Sequence, residues 1–403
     1  MRKMKDSGVA WVGAIPEDWT VKRGKFTLKL LNRPVKETDD VITCFRDGEV
    51  TLRTNRRTDG FTVSVKEIGY QGIEPGDLVI HGMDGFAGSI GISDSRGKSS
   101  PVLVVCDTDE NKRYIMYYLR SMAYNDVFTA LATGIRVRSC DLRWNKLAEL
   151  PYILPSLEEQ NQIVLAIESS TSKVDALIAN VQAQIEKLKT YKQSLITEVV
   201  TKGLDPNVPM KDSGVEWIGK IPKHWNMIRF RFIAKITTGN QDTQNADPDG
   251  MYPFYVRSPI VEHCNNYTFE GKGILMAGDG AGAGRVFHLV NGKYAVHQRV
   301  YRFYDFKYMN PVLLKFYLEN LFATVMDYGS AKTTVPSVRL PMIQDFPVCV
   351  PPEDEQLKML EVLSEKTNKI DRFIAVKQTK IEKLEQYKRS LIYEYVTGKK
   401  EVS

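Results

Sequence analysis

The sequence predicts an α/β protein in which two mixed α/β insert domains are separated by two long antiparallel coiled-coil helices, the whole being a pseudo-twofold internal repeat. Three observations predict it. A block near the start recurs past the midpoint, a block before the midpoint recurs at the end, and each later block lies in a helical stretch too long for a compact domain.

The first pair is MKDSGVAWVGAIPEDWTVKRGKF, Met4–Phe26, and MKDSGVEWIGKIPKHWNMIRFRF, Met210–Phe232, identical at 13 of 23 positions at an offset of 206. Chance would give roughly one match. The second pair is IEKLKTYKQSLITEVVT, Ile185–Thr201, and IEKLEQYKRSLIYEYVT, Ile381–Thr397, identical at 12 of 17 positions at an offset of 196. Between the blocks, from Phe26 to Pro151 and from Phe232 to Pro347, the sequence has diverged almost completely, and the second copy is ten residues shorter. A constant frame around changing inserts suits the reading of two unrelated targets with one geometry. Simple drift after duplication would have eroded the exposed helix faces as fast as the inserts.

The stretch from Pro155 to Gly203 has no internal proline or glycine. Val174, Ile178, Val181, Ile185, Leu188, Tyr191, Leu195 and Val199 recur there in steps of three and four, which predicts one apolar stripe. The second copy offers Ile370, Ile374, Ile381, Leu384, Tyr387, Leu391 and Tyr395, with Lys377 where Val181 stood. Forty residues of helix reach about 60 Å, so each stripe is expected to lie against the other helix. Pro155-Ser156-Leu157-Glu158-Glu159-Gln160 and Pro351-Pro352-Glu353-Asp354-Glu355-Gln356 open the helices with the proline and carboxylates that suit a first turn. The division expected is 1–150 and 206–346 for the insert domains, with 151–205 and 347–403 for the helices. Trp11, Trp19, Trp217 and Trp225 lie in the constant frame, so packing is the expected role rather than stacking on a nucleobase.

Each insert alternates short strand-like runs with turns and ends in a helix. Strands are predicted at Asp77–His81, Val102–Cys106, Gly273–Met276 and Arg299–Phe303, and helices at Arg113–Ala123 and Pro311–Leu321. A net charge of +6 and pI near 8.8 favour an anionic partner only weakly, so the placement of polar residues matters more. The candidate DNA contacts are Arg53, Asn55, Arg56, Arg57, Lys66, His81, Arg136 and Arg138 in the first insert. In the second they are Gln241, Gln244, Asn245, Arg257, Asn265, Asn266, Arg285, His297, Gln298, Arg299, Lys332 and Thr333. Arginine matches guanine edges and Asn or Gln matches adenine, because each forms paired hydrogen bonds there. The glycine turns at Thr133–Arg138 and Gly329–Thr334 combine backbone N–H groups with cations, which suits phosphate.

Catalytic patterns are not met. The glycine run Gly278–Gly284 lacks the G-K-[ST] ending of a phosphate loop and reads as a turn. Pro248-Asp249 with Glu270-Gly271-Lys272 fits a loose nuclease pattern, but Glu74-Pro75-Gly76 in the first insert lacks the lysine. The five histidines show no metal-ligand spacing, and neither G-x-S-x-G nor an N-P-P-Y-type methyltransferase tetrapeptide occurs. Five scattered cysteines fit reduced thiols, the first residues lack a signal-like apolar run, and a cytoplasmic location is expected.

K-D-S-G-V-x-W-x-G-x-I-P-x-x-W, then P-x-x-x-E-Q, then the I-E-K-L helix, all occurring twice, resembles the DNA specificity subunit of type I restriction-modification enzymes. The resemblance brackets both halves through about 120 residues of frame. It implies a non-catalytic subunit whose inserts, 1–150 and 206–346, are target recognition domains, each reading half of a bipartite asymmetric site in double-stranded DNA. It also implies helices that set the spacing and dock two methyltransferase (modification) subunits, with a restriction and translocation subunit as a further partner. S-adenosylmethionine, ATP and Mg belong on those partners, and no cofactor or metal on this chain. The rival expectation is a stand-alone sequence-specific DNA-binding protein.

Overall fold

The computed structural model describes residues 2–56, 67–130, 142–329 and 336–402, without the side chains of 325–329. The chain forms two compact units, Met1–Val181 with Thr379–Ser403 and Gln182–Gln378. Each unit therefore takes one insert together with part of both long helices.

The units are built alike. In each, the D-S-G-V block is the turn of a small hairpin, Met4–Asp6 against Ala14–Pro16 and Met210–Asp212 against Lys220–Pro222. The repeated side chains make that turn: Asp6 and Asp212 accept from the N–H of Gly8 and Gly214 at 3.0 and 2.9 Å, and Ser7 and Ser213 from Val9 and Val215 at 3.1 Å. The frame then closes on itself. Thr20–Arg23 pairs antiparallel with Pro151–Leu154, and Asn226–Arg229 with Pro347–Val350, so the two ends of each insert are tied side by side.

Each insert begins with a four-stranded antiparallel sheet of the same order. In the first the neighbours run Lys29–Leu30, Leu103–Asp107, Leu78–His81, Ile90–Ile92, and in the second Lys235–Thr238, Val300–Tyr304, Gly273–Ala277, Phe287–Val290. All four predicted strands are present within a residue or two. The predicted helices are Lys112–Tyr124 and Pro311–Gly329. They cover one sheet face with a core that includes Ile80, Ile90, Tyr114 and Leu119 in the first unit, and Ile274, Phe303, Leu314 and Phe322 in the second. The inserts then differ. The second adds a sheet ordered Glu262–Cys264, Tyr252–Tyr255, Lys293–Val296, Phe269–Glu270, whereas the first has two separate hairpin-like pairs.

The long helices span Leu157–Lys202 and Glu353–Val396. In the second unit Lys192 meets Asp371 at 2.6 Å and Lys377 meets Gln184 at 2.5 Å, so one helix rises as the other falls. In the first unit Lys388 meets Asp175 at 2.7 Å, which is the Lys192–Asp371 pair with the helices exchanged. Exposed pairs of this kind contribute little energy but fix register. Lys377, the break in the second apolar stripe, thus spans the seam with a hydrogen bond. Tyr191 and Tyr387, expected in the stripe, are instead 56% and 53% exposed. Beyond them the last helical turns bury two adjacent faces, Leu195, Ile196, Val199 and Val200 in the second unit and Leu391, Ile392, Tyr395 and Val396 in the first. These turns pack into the insert cores, so the stripe rotates away from the tyrosines.

Three frame residues join helix to insert. Trp19 and Trp225 are fully buried, and their indole N–H groups donate to Glu159 at 3.0 Å and Glu355 at 2.9 Å, in the first turns of the helices. The carboxylates of P-x-x-x-E-Q therefore do more than cap. Gln160 and Gln356, also buried, accept the N–H of Asn111 and Asn310 at 2.9 and 2.7 Å, just before the insert helices. Their amides donate back to Pro155 and Pro351 at 3.0 and 2.9 Å. Gly203 and Gly398, at positive φ, end the other helix against the same tryptophans, and a Cβ there would approach Trp225 and Trp19 to 3.1 Å.

Gln356→Leu leaves the Asn310 N–H and the Tyr308 and Pro351 carbonyls without their partner. A loss of about 2 kcal/mol or more is expected, read as a lower urea midpoint at unchanged m-value.

Candidate nucleic-acid interface

In the first insert, Arg53, Asn55 and Arg56 follow the hairpin Ile42–Cys44/Val50–Leu52. Arg53 donates to Thr43 at 3.3 Å and Asn55 to Thr51 at 2.8 Å, both hydroxyls of that hairpin. Arg56 is held between Asp47 at 2.7 Å and Glu49 at 2.9 Å and lies over the Phe45 ring at 4.2 Å. Its charge is answered within the protein. Arg57, Lys66, Arg136, Arg138, Lys332 and Thr333 lie outside the described residues, as do the turns 133–138 and 330–334.

His81 ends a central strand, and its Nδ1 accepts the N–H groups of Met83 at 3.3 Å and Asp84 at 3.0 Å. His297 does the same for Arg299 at 3.0 Å. Burial holds both below the usual histidine range, and also His288. His81 and His297 are neutral supports of the turns that carry the polar residues, whereas His288 faces the Ser258 carbonyl from within its strand.

The second insert gathers its candidates. Asp242 accepts from the Gln298 amide at 2.7 Å, while Asn245 accepts the Asp242 N–H at 2.8 Å. Gln241 contributes its carbonyl to the Gln298 N–H at 2.8 Å. Next to them, Asp279 takes Arg257 at 3.1 Å and stands 3.8 Å from Arg299 Nε. Asn265 is elsewhere, donating to Asp247 at 2.7 Å, and the carbonyl of Asn266 faces the Cys264 thiol at 3.1 Å. Gln244 and Arg285 are exposed.

The residues missed from sequence are the carboxylates Asp84, Asp242 and Asp279 and the arginine Arg46, which donates to Asp84 at 3.0 Å. A signal was present. Gly82–Gly88 (GMDGFAG) and Gly278–Gly284 (GDGAGAG) stand at an offset of 196, the offset of the I-E-K-L blocks. Both join a middle strand of the sheet to the edge strand beside it, and both are pinned alike: Gly82 to Val102 and Leu142, Gly278 to Arg299 and Val338, at 2.7–2.9 Å. The glycine run is thus a turn, as expected, but one the two inserts share.

Cys44, Cys106, Cys264 and Cys349 are buried free thiols, those of Cys44 and Cys106 pushed up to about 12 by desolvation. Among the described residues no three metal-ligating side chains are grouped to hold an ion, and no helix is long and apolar enough to cross a membrane.

The fold is thus a duplicated clip-and-helix frame that presents two unlike α/β inserts. Residues 222–386 match the Type I restriction modification DNA specificity domain. The chain is similar to the EcoDI type I restriction enzyme specificity subunit of Escherichia coli, 28% identical over 42% of this chain and 35% of that one. It is also similar to the MjaX specificity subunit, a putative type I restriction enzyme component of Methanocaldococcus jannaschii, 24% identical over 96% of this chain and 95% of the relative. Its fold matches a chain from the structure described as "Structural basis underlying complex assembly and conformational transition of the type I R-M system", with TM-score 0.70, 14% identity and coverage of 95% and 98%. Residues 222–386 thus carry the signature of that specificity domain, and the chain is similar along nearly its whole length to a type I restriction enzyme specificity subunit.

The buried histidines give a signed pH dependence. Their folded pKa values lie below the unfolded one, so the stability tied to their neutral form is complete above about pH 6.5 and is lost as pH falls from there toward the folded values. The urea midpoint is expected to drop between pH 7 and pH 5, and less steeply in His297→Asn.

Proposed function

We propose that this chain is the non-catalytic, DNA-reading subunit of a type I restriction-modification complex, each insert reading one half of a bipartite asymmetric site. The observation that carries this reading is the clip of the same strand pairing around two inserts whose polar faces differ. Two methyltransferase subunits dock on the long helices and bring S-adenosylmethionine to the target adenines. A restriction and translocation subunit supplies the ATP- and Mg-dependent steps. This chain binds no cofactor of its own, and it works in the cytoplasm of a bacterial or archaeal cell.

A helix of 46 residues is about 69 Å long, which suits a spacer between half-sites. Adding four residues to both helices extends it by about 6 Å, close to two base pairs at about 3.4 Å each. Genome-wide mapping of methylated adenines, with the chain co-expressed with its modification subunit, is expected to return a two-part motif with an unread gap. Exchanging Phe26–Leu150 for another insert then changes one half of the motif only. A single continuous motif, or a change in both halves, overturns the reading.

A further inference from the structure

The shared glycine loop carries a carboxylate in both inserts, at its third residue in the first and its second in the second, and in both that carboxylate holds an arginine from elsewhere in the chain. Asp84 holds Arg46; Asp279 holds Arg257 and lies beside Arg299. The rest of the loops differs, Met83-Asp84-Gly85-Phe86 against Asp279-Gly280-Ala281-Gly282. A recurring carboxylate–arginine arrangement in otherwise diverged inserts points to a task common to both, carried out on different targets.

The second insert shows what the task is. The Asp279 side chain is only 22% exposed, whereas Arg257 and Arg299 are 45% and 65% exposed. One sheltered carboxylate thus accepts a hydrogen bond from Arg257 and holds Arg299 by an ion pair at 3.8 Å, both guanidiniums facing outward. An arginine has five N–H donors in a planar fork, so a contact to Asp279 leaves donors for a base edge. A free arginine side chain would have to give up rotamer freedom on binding; one already restrained gives up less. Gln298 is restrained beside them by Asp242, which takes one amide hydrogen and leaves the oxygen and the second hydrogen available.

We propose that Asp279 is a positioning residue for base reading: it fixes Arg257 and Arg299 so that each addresses a guanine edge in the half-site read by the second insert. This rests on the DNA-reading function proposed above. Phosphate contact by the same arginines is the competing outcome, and the two differ in what they do to the motif. Base contacts specify, whereas phosphate contacts only hold.

The test uses the full chain with its modification subunits and maps methylated adenines genome-wide. Arg257→Ala is expected to make one G·C position of one half-site degenerate, and Arg299→Ala another. Asp279→Ala is expected to relax both, and Asp279→Asn, which keeps an acceptor oxygen, less so. The preference for guanine at each position should fall about tenfold or more, the discrimination one paired contact supplies. The other half-site should stay unchanged. An unaltered motif in Asp279→Ala overturns the positioning role. Uniformly weaker methylation with an unaltered motif in both arginine variants overturns the base contacts, and if Asp279→Ala fails to fold, these exposed-residue variants decide the matter. A wild-type motif without two parts would overturn the underlying reading instead.

Discussion

The structure depends on a buried tryptophan held from two sides. Trp19 gives its indole N–H to Glu159 in the first turn of one long helix and packs against Gly398 after the last turn of the other, and Trp225 does the same with Glu355 and Gly203. A hydrogen bond to a carboxylate is worth about 1.5–3 kcal/mol, and burying the indole adds apolar area to it. Each tryptophan therefore decides where one helix starts and where the other stops. The neighbouring glutamine extends the same control to the insert helix, whose entry N–H it accepts.

This arrangement explains how the inserts were free to change. Their ends are paired in the clip Thr20–Arg23/Pro151–Leu154 or its counterpart, and their helices are fixed by Gln160 or Gln356. Tyr118 and Tyr317 repeat the theme, donating to the carbonyls of Pro151 and Pro347 at 2.8 and 3.1 Å. With ends and helix held, the sheet edge and its loops carry little of the scaffold's load. The second insert builds a further four-stranded sheet where the first builds separate pairs, and the frame is the same for both.

The polar faces follow an electrostatic logic that charge counts hide. Much of the basic excess is answered internally, as Arg56 is by Asp47 and Glu49. What distinguishes Arg257 and Arg299 is that they share one sheltered carboxylate, which restrains them without cancelling both charges. His297, buried beside them, keeps its turn in place as a neutral acceptor. A charge there would first meet the desolvation that burial imposes, and then the repulsion of Arg257 and Arg299, which Asp242 and Asp279 offset only in part.

The sequence alone determined the duplication, the two long helices, the central strands and the constant role of the tryptophans, because these are signals of period and identity that local physics writes directly into the chain. The same signals placed Tyr191 and Tyr387 in the helix seam, where the tertiary structure turns them outward. A stripe says which face is apolar but not how many partners the helix meets along its length. The glycine loops were visible at the offset of 196 but carried no meaning until both were seen joining the same two strands. Only the tertiary structure decided which polar residues stand together, since Arg257, Asp279 and Arg299 are separated by twenty residues or more on each side. Their meeting is set by strand pairing across the insert, and no local pattern in the sequence encodes a contact made at that distance.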